Sequence, residues 1–322
     1  MCYSAQIRAN YVSFTRMFGA TLSIREFKDL FFKRAESKVR IPKSLEAEFE
    51  HPTTPEEVEI KAAIDAYKSD RAMALEQELF SQRRRLVEAE RKLQTKTTKG
   101  ALESQRIATD KISKAQLDLS DLRRKDLADR DHRIFPGWYA PVMVVQDGQK
   151  VLMPMRYLCR PEGAKPSFDA EFSGCFNARR DNLEKFWRKQ FGFTHGVVVL
   201  NAFYENVNKH KREHRELEPG EKLENLILKF EPNTHQDMLA ACIWSRWKGA
   251  AGEELLSFAV ITDDPPPEVA AAGHDRCPVP LKQENVDEWL NPGMSNLKRM
   301  QEILDDRERP YYDHRVLEKM AA

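Results

Sequence analysis

The 322-residue chain carries 52 Lys and Arg against 51 Asp and Glu, a formal net charge of +1, which excludes a globally basic nucleic-acid binder and leaves phosphate contacts to a local patch. No run of about 18 apolar residues occurs, so a helical membrane span is not expected. The start Met1-Cys2-Tyr3-Ser4 has neither the basic opening nor the apolar stretch of a signal peptide.

Residues 1–43 offer a short strand-like start and a helix expected around Ser23–Lys33. From 44 to 130 the texture changes: Val, Phe and Trp become scarce, while Glu, Lys, Arg, Ala, Leu and Gln dominate. Leu79, Leu86 and Leu93 recur every seven residues, with Leu75 and Ala89 between them, laying one apolar stripe along a helix. The run Thr95–Gly100 breaks the pattern, and a second stripe follows at Ala108, Ile112, Ala115, Leu119 and Leu122. Two stripes around a Gly-containing turn predict an antiparallel helical hairpin, a short coiled coil whose arms bury the stripes against each other. The alternative use of such a stripe is to hold a partner protein. Arg83-Arg84-Arg85, flanked by Glu76, Glu78, Glu88 and Glu90, read as a solvated face rather than a DNA contact.

Beyond residue 131 come short β-branched runs bounded by turn residues: Pro141–Val145, Val197–Leu200, Leu226–Phe230 and Leu256–Ile261. Helical segments are expected near Asn182–Gln190 and Val286–Leu290. The pattern predicts an α+β fold: a mainly β core from residues 1–43 plus 131–322, with 44–130 inserted as the helical hairpin. Such an insertion is tolerated because loop-closure entropy grows slowly with length.

The five cysteines (Cys2, Cys159, Cys175, Cys242, Cys277) are odd in number and lack CxxC spacing, so neither structural zinc nor a disulfide framework is expected. A reducing cytoplasm fits them best. Cys2 stands apart. Removal of Met1 would leave an N-terminal residue with an amine and a thiol, and that amine, with a reference pKa of about 7.7–8.0, is largely neutral near pH 8. A neutral amine condenses with an aldehyde to a Schiff base, and the neighbouring thiol can then close a five-membered ring.

Three further segments carry chemistry-bearing residues. In Cys175-Phe-Asn-Ala-Arg-Arg180, Asn177 can hold a small polar group while a guanidinium forks onto a phosphate, or Asn177 can simply cap a helix or turn. In Val199-Leu-Asn-Ala-Phe-Tyr-Glu-Asn206, Glu205 follows two aromatics. Such surroundings disfavour a carboxylate and suit it to general-acid work, unless it reaches solvent at the strand end. In Gly273-His-Asp-Arg-Cys-Pro-Val-Pro280, His274 sits in a loop as a proton shuttle or a structural hydrogen-bonding group, with Arg276 two residues on.

The order Cys2, Asn-Ala-Arg, aromatic-aromatic-Glu, His-Asp-Arg-x-Pro closely resembles the SRAP (SOS response-associated peptidase) family. Further similarity lies in Ala140-Pro141 with its apolar run, Ala240–Ser245, Phe258–Thr262, Trp289-Leu290 and Tyr311–Val316. It covers residues 1–18 and about 135–318. The resemblance implies an SRAP-type core, an antiparallel barrel-like sheet with flanking helices, and no metal or other cofactor. It also implies that the α-amine and thiol of Cys2 form a thiazolidine with the ring-opened aldehyde of an abasic site in single-stranded or junction DNA. Glu205 would protonate the sugar ring oxygen, His274 would shuttle protons and Asn177 would orient Cys2. Arg179, Arg276 and Pro141 would contact the DNA. The implied setting is the bacterial cytoplasm, nucleoid-associated when on DNA. The same residues also fit an N-terminal-cysteine peptidase that removes its own Met1, and the hairpin leaves open a non-enzymatic scaffold.

The chain departs from the family pattern at Tyr3 and Ser4, where Gly and Arg are common, at Trp138 in place of Asn, and at Asn206 in place of Trp. Met155-Arg-Tyr-Leu-Cys-Arg-Pro161 replaces a Trp-containing stretch, leaving Tyr157 as the remaining aromatic to stack on bases.

Overall fold

Strands whose residues are apolar without interruption must be covered on both faces, and here that requirement shapes the architecture. In the computed structural model, which describes all residues except 1–3, 8–10, 38, 214 and 318–322, the first half contains β1 (Ser4–Ile7), α1 (Tyr11–Phe18), β2 (Thr21–Leu22), α2 (Ile24–Glu36), α3 (Lys43–Ala47), α4 (Pro55–Thr95) and α5 (Lys99–Arg123). Then come β3 (Arg133–Ile134), β4 (Tyr139–Gln146), β5 (Gln149–Tyr157), α6 (Phe168–Glu171), β6 (Asn177–Arg179), β7 (His195–Asn208) and α7 (Lys209–Arg212). The last third holds β8 (Asn225–Pro232), β9 (Met238–Lys248), β10 (Glu254–Asp263), α8 (Pro267–Ala271), β11 (Cys277–Pro278) and β12 (Pro280–Leu281). It ends with α9 (Val286–Leu290), α10 (Leu297–Asp305) and β13 (Tyr312–Leu317).

The sheet follows the path β12-β9-β10-β5-β4-β7-β1-β3, and a β7–β9 pairing closes β9, β10, β5, β4 and β7 into a ring. All neighbours in the ring are antiparallel except β10 and β5. Side chains alternate between two cores, as a two-residue strand period demands. Val142, Met153, Met155, Val198, Ala240, Cys242, Phe258 and Val260 belong to one cluster. Their chain neighbours Met143, Leu152, Val197, Val199, Ala241, Ile243, Ala259 and Ile261 belong to a second, shared with Trp289 of α9 and Met300, Ile303 and Leu304 of α10. One set therefore lies within the ring and the other under the flanking helices.

Closure depends on Gly196. A Cβ there would lie 2.9 Å from Val142 Cγ1 and 3.2 Å from the Met143 carbonyl oxygen, beside the Met143–Val197 pair that joins β4 to β7.

The hairpin expected between the two parts of the β core is present. Thr54 Oγ1 caps α4 by accepting from Glu57 N at 3.2 Å, and Thr98 Oγ1 caps α5 by accepting from Ala101 N at 3.2 Å. Gly100 consequently lies in the first turn of α5 rather than in the connection. The arms meet along Leu75, Ala115 and Leu119, flanked by Leu79 and Leu122, with Ala89 and Ala108 buried farther out. At its root α4 packs Ile60 and Ile64 against Phe27, Phe31, Leu45 and Phe49, so α2 and α3 join the base of the arm.

Residues 182–190 do not form the expected helix. A 3-10 turn at Arg180–Asn182 leads into successive turns. Leu183, Trp187 and Phe191 are buried at helical spacing, yet Trp187 N reaches back to Asn182 O and Gln190 N to Trp187 O. Burial of the three apolar side chains is thus met by mixed-length turns.

Candidate active site

β7 carries Glu205 into the interior, where it is fully buried. One edge of β7 pairs Glu205 with Leu228 of β8, and the other pairs Tyr204 with Ser4 of β1. His274 reaches the same place from α8 by way of Gly273, whose φ of +93° is a left-handed conformation that L side chains rarely adopt. A Cβ on Gly273 would lie 2.8 Å from Val207 Cγ1. Glycine at 273 is thus required both for the turn and for the approach to β7 two residues from Glu205.

His274 Nε2 lies 2.8 Å from Glu205 Oε2. The other ring nitrogen, Nδ1, is 2.9 Å from the Arg276 carbonyl oxygen. A carbonyl only accepts, so Nδ1 carries hydrogen and donates; the Arg276 N–H, 3.4 Å from Nδ1, is too distant to compete. The contact between Nε2 and Oε2 then requires a proton held between carboxyl and imidazole. The pair is a buried, oriented proton store.

Asn177 lies on β6, which pairs parallel with β10 and sets Asn177 beside Val260 and Arg179 beside Thr262. It is buried, its Oδ1 is 3.4 Å from the Tyr157 hydroxyl, and its Nδ2 makes no hydrogen bond among the described residues. Arg179 and Arg276 line one cavity of about 100 Å³ together with Thr262, Asp263 and Asp264. Thr262 was not singled out in the sequence; it is fully buried with an Oγ1 lacking a hydrogen bond among the described residues. Asp181 lies 3.2 Å from Arg179 Nε, and Asp275 accepts from Arg276 at 2.9 and 3.1 Å. The Arg276 guanidinium holds the Asp275 carboxyl well below the usual carboxylate range. The cavity presents two guanidiniums, each partly neutralised by its own aspartate.

Cys2 lies outside the described residues. The other four cysteines are buried and free, and burial pushes the Cys175 thiol up to about 11 and raises those of Cys159, Cys242 and Cys277 well above the ordinary range. None of the four is a nucleophile in this fold. Pro141 is buried in β4 opposite Pro154 and does not line the arginine cavity. Tyr157 is buried against Phe176 and Phe258, so it is a core ring and not a surface on which a base could stack. At position 4, Ser4 Oγ accepts from Arg133 Nε at 2.7 Å, with that guanidinium 3.9 Å above the Tyr204 ring. A cation from β3 thus stands next to the N-terminal strand.

One buried histidine escaped the sequence reading. His195 Nδ1 lies 3.0 Å from the Trp289 carbonyl oxygen, and its Nε2 accepts from Gly192 N at 2.9 Å. Burial lowers its pKa to about 3, so it is a neutral clamp tying β7 to α9. Only its partners, distant in sequence, distinguish it from His274.

A closed β-barrel with a buried carboxylate–imidazole pair at one strand end and an arginine-lined cavity beside β6 defines the class of protein. The sequence profile of the SOS response associated peptidase (SRAP) family matches residues 94–320, and the chain belongs to that family. The match begins at the tip of the hairpin and includes α5. Among curated proteins the chain is similar to "Abasic site processing protein YobE" of Bacillus subtilis (strain 168), 29% identical over 130 residues, or 40% of this chain and 54% of that protein. It is also similar to "Abasic site processing protein YoqW" of the same strain and of Bacillus phage SPbeta, each 28% identical over 40% of this chain and 53% of the relative. The chain spans about half the length of the curated relatives it matches. A crystal structure of a protein from Bordetella bronchiseptica aligns over 58% of this chain and 87% of its own at 19% identity and a TM-score of 0.46. One from Bacteroides thetaiotaomicron aligns over 58% and 78% at 18% identity and a TM-score of 0.45.

Proposed function

We propose that this chain processes abasic sites in DNA, linking covalently to the exposed aldehyde through Cys2 after loss of Met1. The observation that carries the reading is the buried contact between Glu205 and His274. It is a proton donor–acceptor pair one residue along β7 from the partner of Ser4. Two peptide units, roughly 7 Å of chain at full extension, tether Cys2 to Ser4, so the terminal amine and thiol are within reach of that pair. With four thiols buried and raised in pKa, Cys2 is the one cysteine left to react.

An abasic deoxyribose is a cyclic hemiacetal, and a proton passed from Glu205 to the ring oxygen opens it to the aldehyde. The Cys2 amine adds to the carbonyl carbon, and loss of water gives the Schiff base. The thiol then adds to the imine carbon, its proton goes to nitrogen, and a thiazolidine closes with one water released in all. His274 returns the proton to Glu205. The free Nδ2 of Asn177 is positioned to donate to an incoming polar group. The Arg179–Arg276 cavity, with Thr262 in its wall, suits a backbone phosphate competing with the two aspartates. A single-stranded or junction substrate would expose the sugar without melting a duplex.

Incubating the protein with an oligonucleotide bearing one abasic site is expected to give a band on a denaturing gel shifted by the mass of the chain. Cys2→Ala is expected to lose it. A protein shown by intact mass to have lost Met1, yet forming no such band, sinks the proposal.

A further inference from the structure

α4 is apolar on two opposite faces, and the fold uses only one. Leu75, Gln82 and Ala89, spaced by seven, turn toward α5 and are buried. Met73, Phe80 and Val87, also spaced by seven, lie opposite them at about 100° per residue, and are 55%, 67% and 53% exposed. Val58, likewise exposed, falls within the same arc of about 60°. An exposed phenylalanine between heptad-spaced neighbours on a long capped helix is the pattern of a helix–helix seam without its second helix.

The charges say which helix completes it. From 65 to 79, α4 has four acidic residues (Asp65, Asp70, Glu76, Glu78) against two basic ones; from 81 to 95 it has five basic residues (Arg83, Arg84, Arg85, Arg91, Lys92) against two acidic ones. Phe80 stands midway between these halves. A parallel copy would set like halves against each other, whereas an antiparallel copy sets acidic against basic. We propose that α4 pairs with α4 of a second copy of this chain, antiparallel, about a twofold axis through Phe80. In that register Phe80 meets Phe80 and Met73 meets Val87. Arg83 and Arg84 of each copy come alongside Glu76 and Gln77 of the other. The interface is isologous, so it closes at two copies, and it keeps the two barrels at opposite ends of the paired arms. It does not depend on the chemistry proposed for Cys2.

The test is the mass of the full chain in solution by light scattering, followed by cysteine pairing. The unmodified protein is expected to have twice the chain mass at micromolar concentration. Phe80→Glu, with unchanged circular dichroism, is expected to halve it. In a Cys2→Ser background, Phe80→Cys should oxidise to a covalent dimer. Met73→Cys alone should not, but should when mixed with Val87→Cys; the remaining thiols are buried. A monomeric unmodified chain, or Met73→Cys linking to itself as a parallel seam would, overturns the proposal.

Discussion

In the barrel, neighbouring residues of β7 and β10 enter two different cores, whereas α4 meets α5 along a narrow seam that includes a buried glutamine, Gln82, and alanines. The barrel can hold Glu205 and His274 away from water because strands and helices cover both sides of β7. The arm has no such depth, and its ion pairs, such as Arg123–Glu76 and Lys111–Glu78, are exposed and individually weak. Chemistry that needs a buried proton belongs to the first region. A long exposed surface open to another helix belongs to the second.

The largest effect is expected inside the barrel. Glu205→Gln keeps the shape of the side chain but cannot supply a proton, so crosslinking to an abasic oligonucleotide should slow by about 10²–10⁴-fold in gel time courses. An unchanged rate would make the buried pair structural.

Acid should act next, through His195. Its folded pKa of about 3 lies below the ordinary 6.5, so between these values the unfolded chain binds the proton and the folded chain does not. Stability contributed by the neutral imidazole is complete above pH 6.5 and falls by up to about 1.4 kcal/mol per pH unit as pH drops toward 3. Urea unfolding midpoints measured across that window should fall more steeply in the native chain than in His195→Gln; equal slopes would refute the assignment.

A smaller loss is expected for Gly273→Ala. Its left-handed backbone and the approach to Val207 should cost about 1–3 kcal/mol by denaturant unfolding, and crosslinking should drop as His274 withdraws. The smallest effect on chemistry is expected in the arm. Replacing residues 82–107 with a short Gly/Ser turn should leave the crosslinking rate unchanged while weakening self-association. Loss of crosslinking would bring the arm into the site and erase the distinction between the two regions.

Local spacing was enough to foresee the hairpin: seven-residue leucine repeats and a Thr-rich break depend only on the chain near them, and α4 and α5 follow them closely. The same holds for the β-branched runs and for the presence of an Asn-Ala-Arg, a Glu after aromatics and a His-Asp-Arg. What spacing left open was which polar residues meet. Glu205 and His274 come together through the β7 register and the left-handed turn at Gly273, and Arg179 joins Arg276 only because β6 and β11 both pair with β10. His195, as plausible a catalytic residue by composition, is disarmed by Trp289 and Gly192. The 182–190 segment has helical spacing yet forms turns. Periodicity is a property of neighbours in the chain, while protonation, burial and contact are properties of neighbours in space; the sequence determined the former, and only the closed barrel decided the latter.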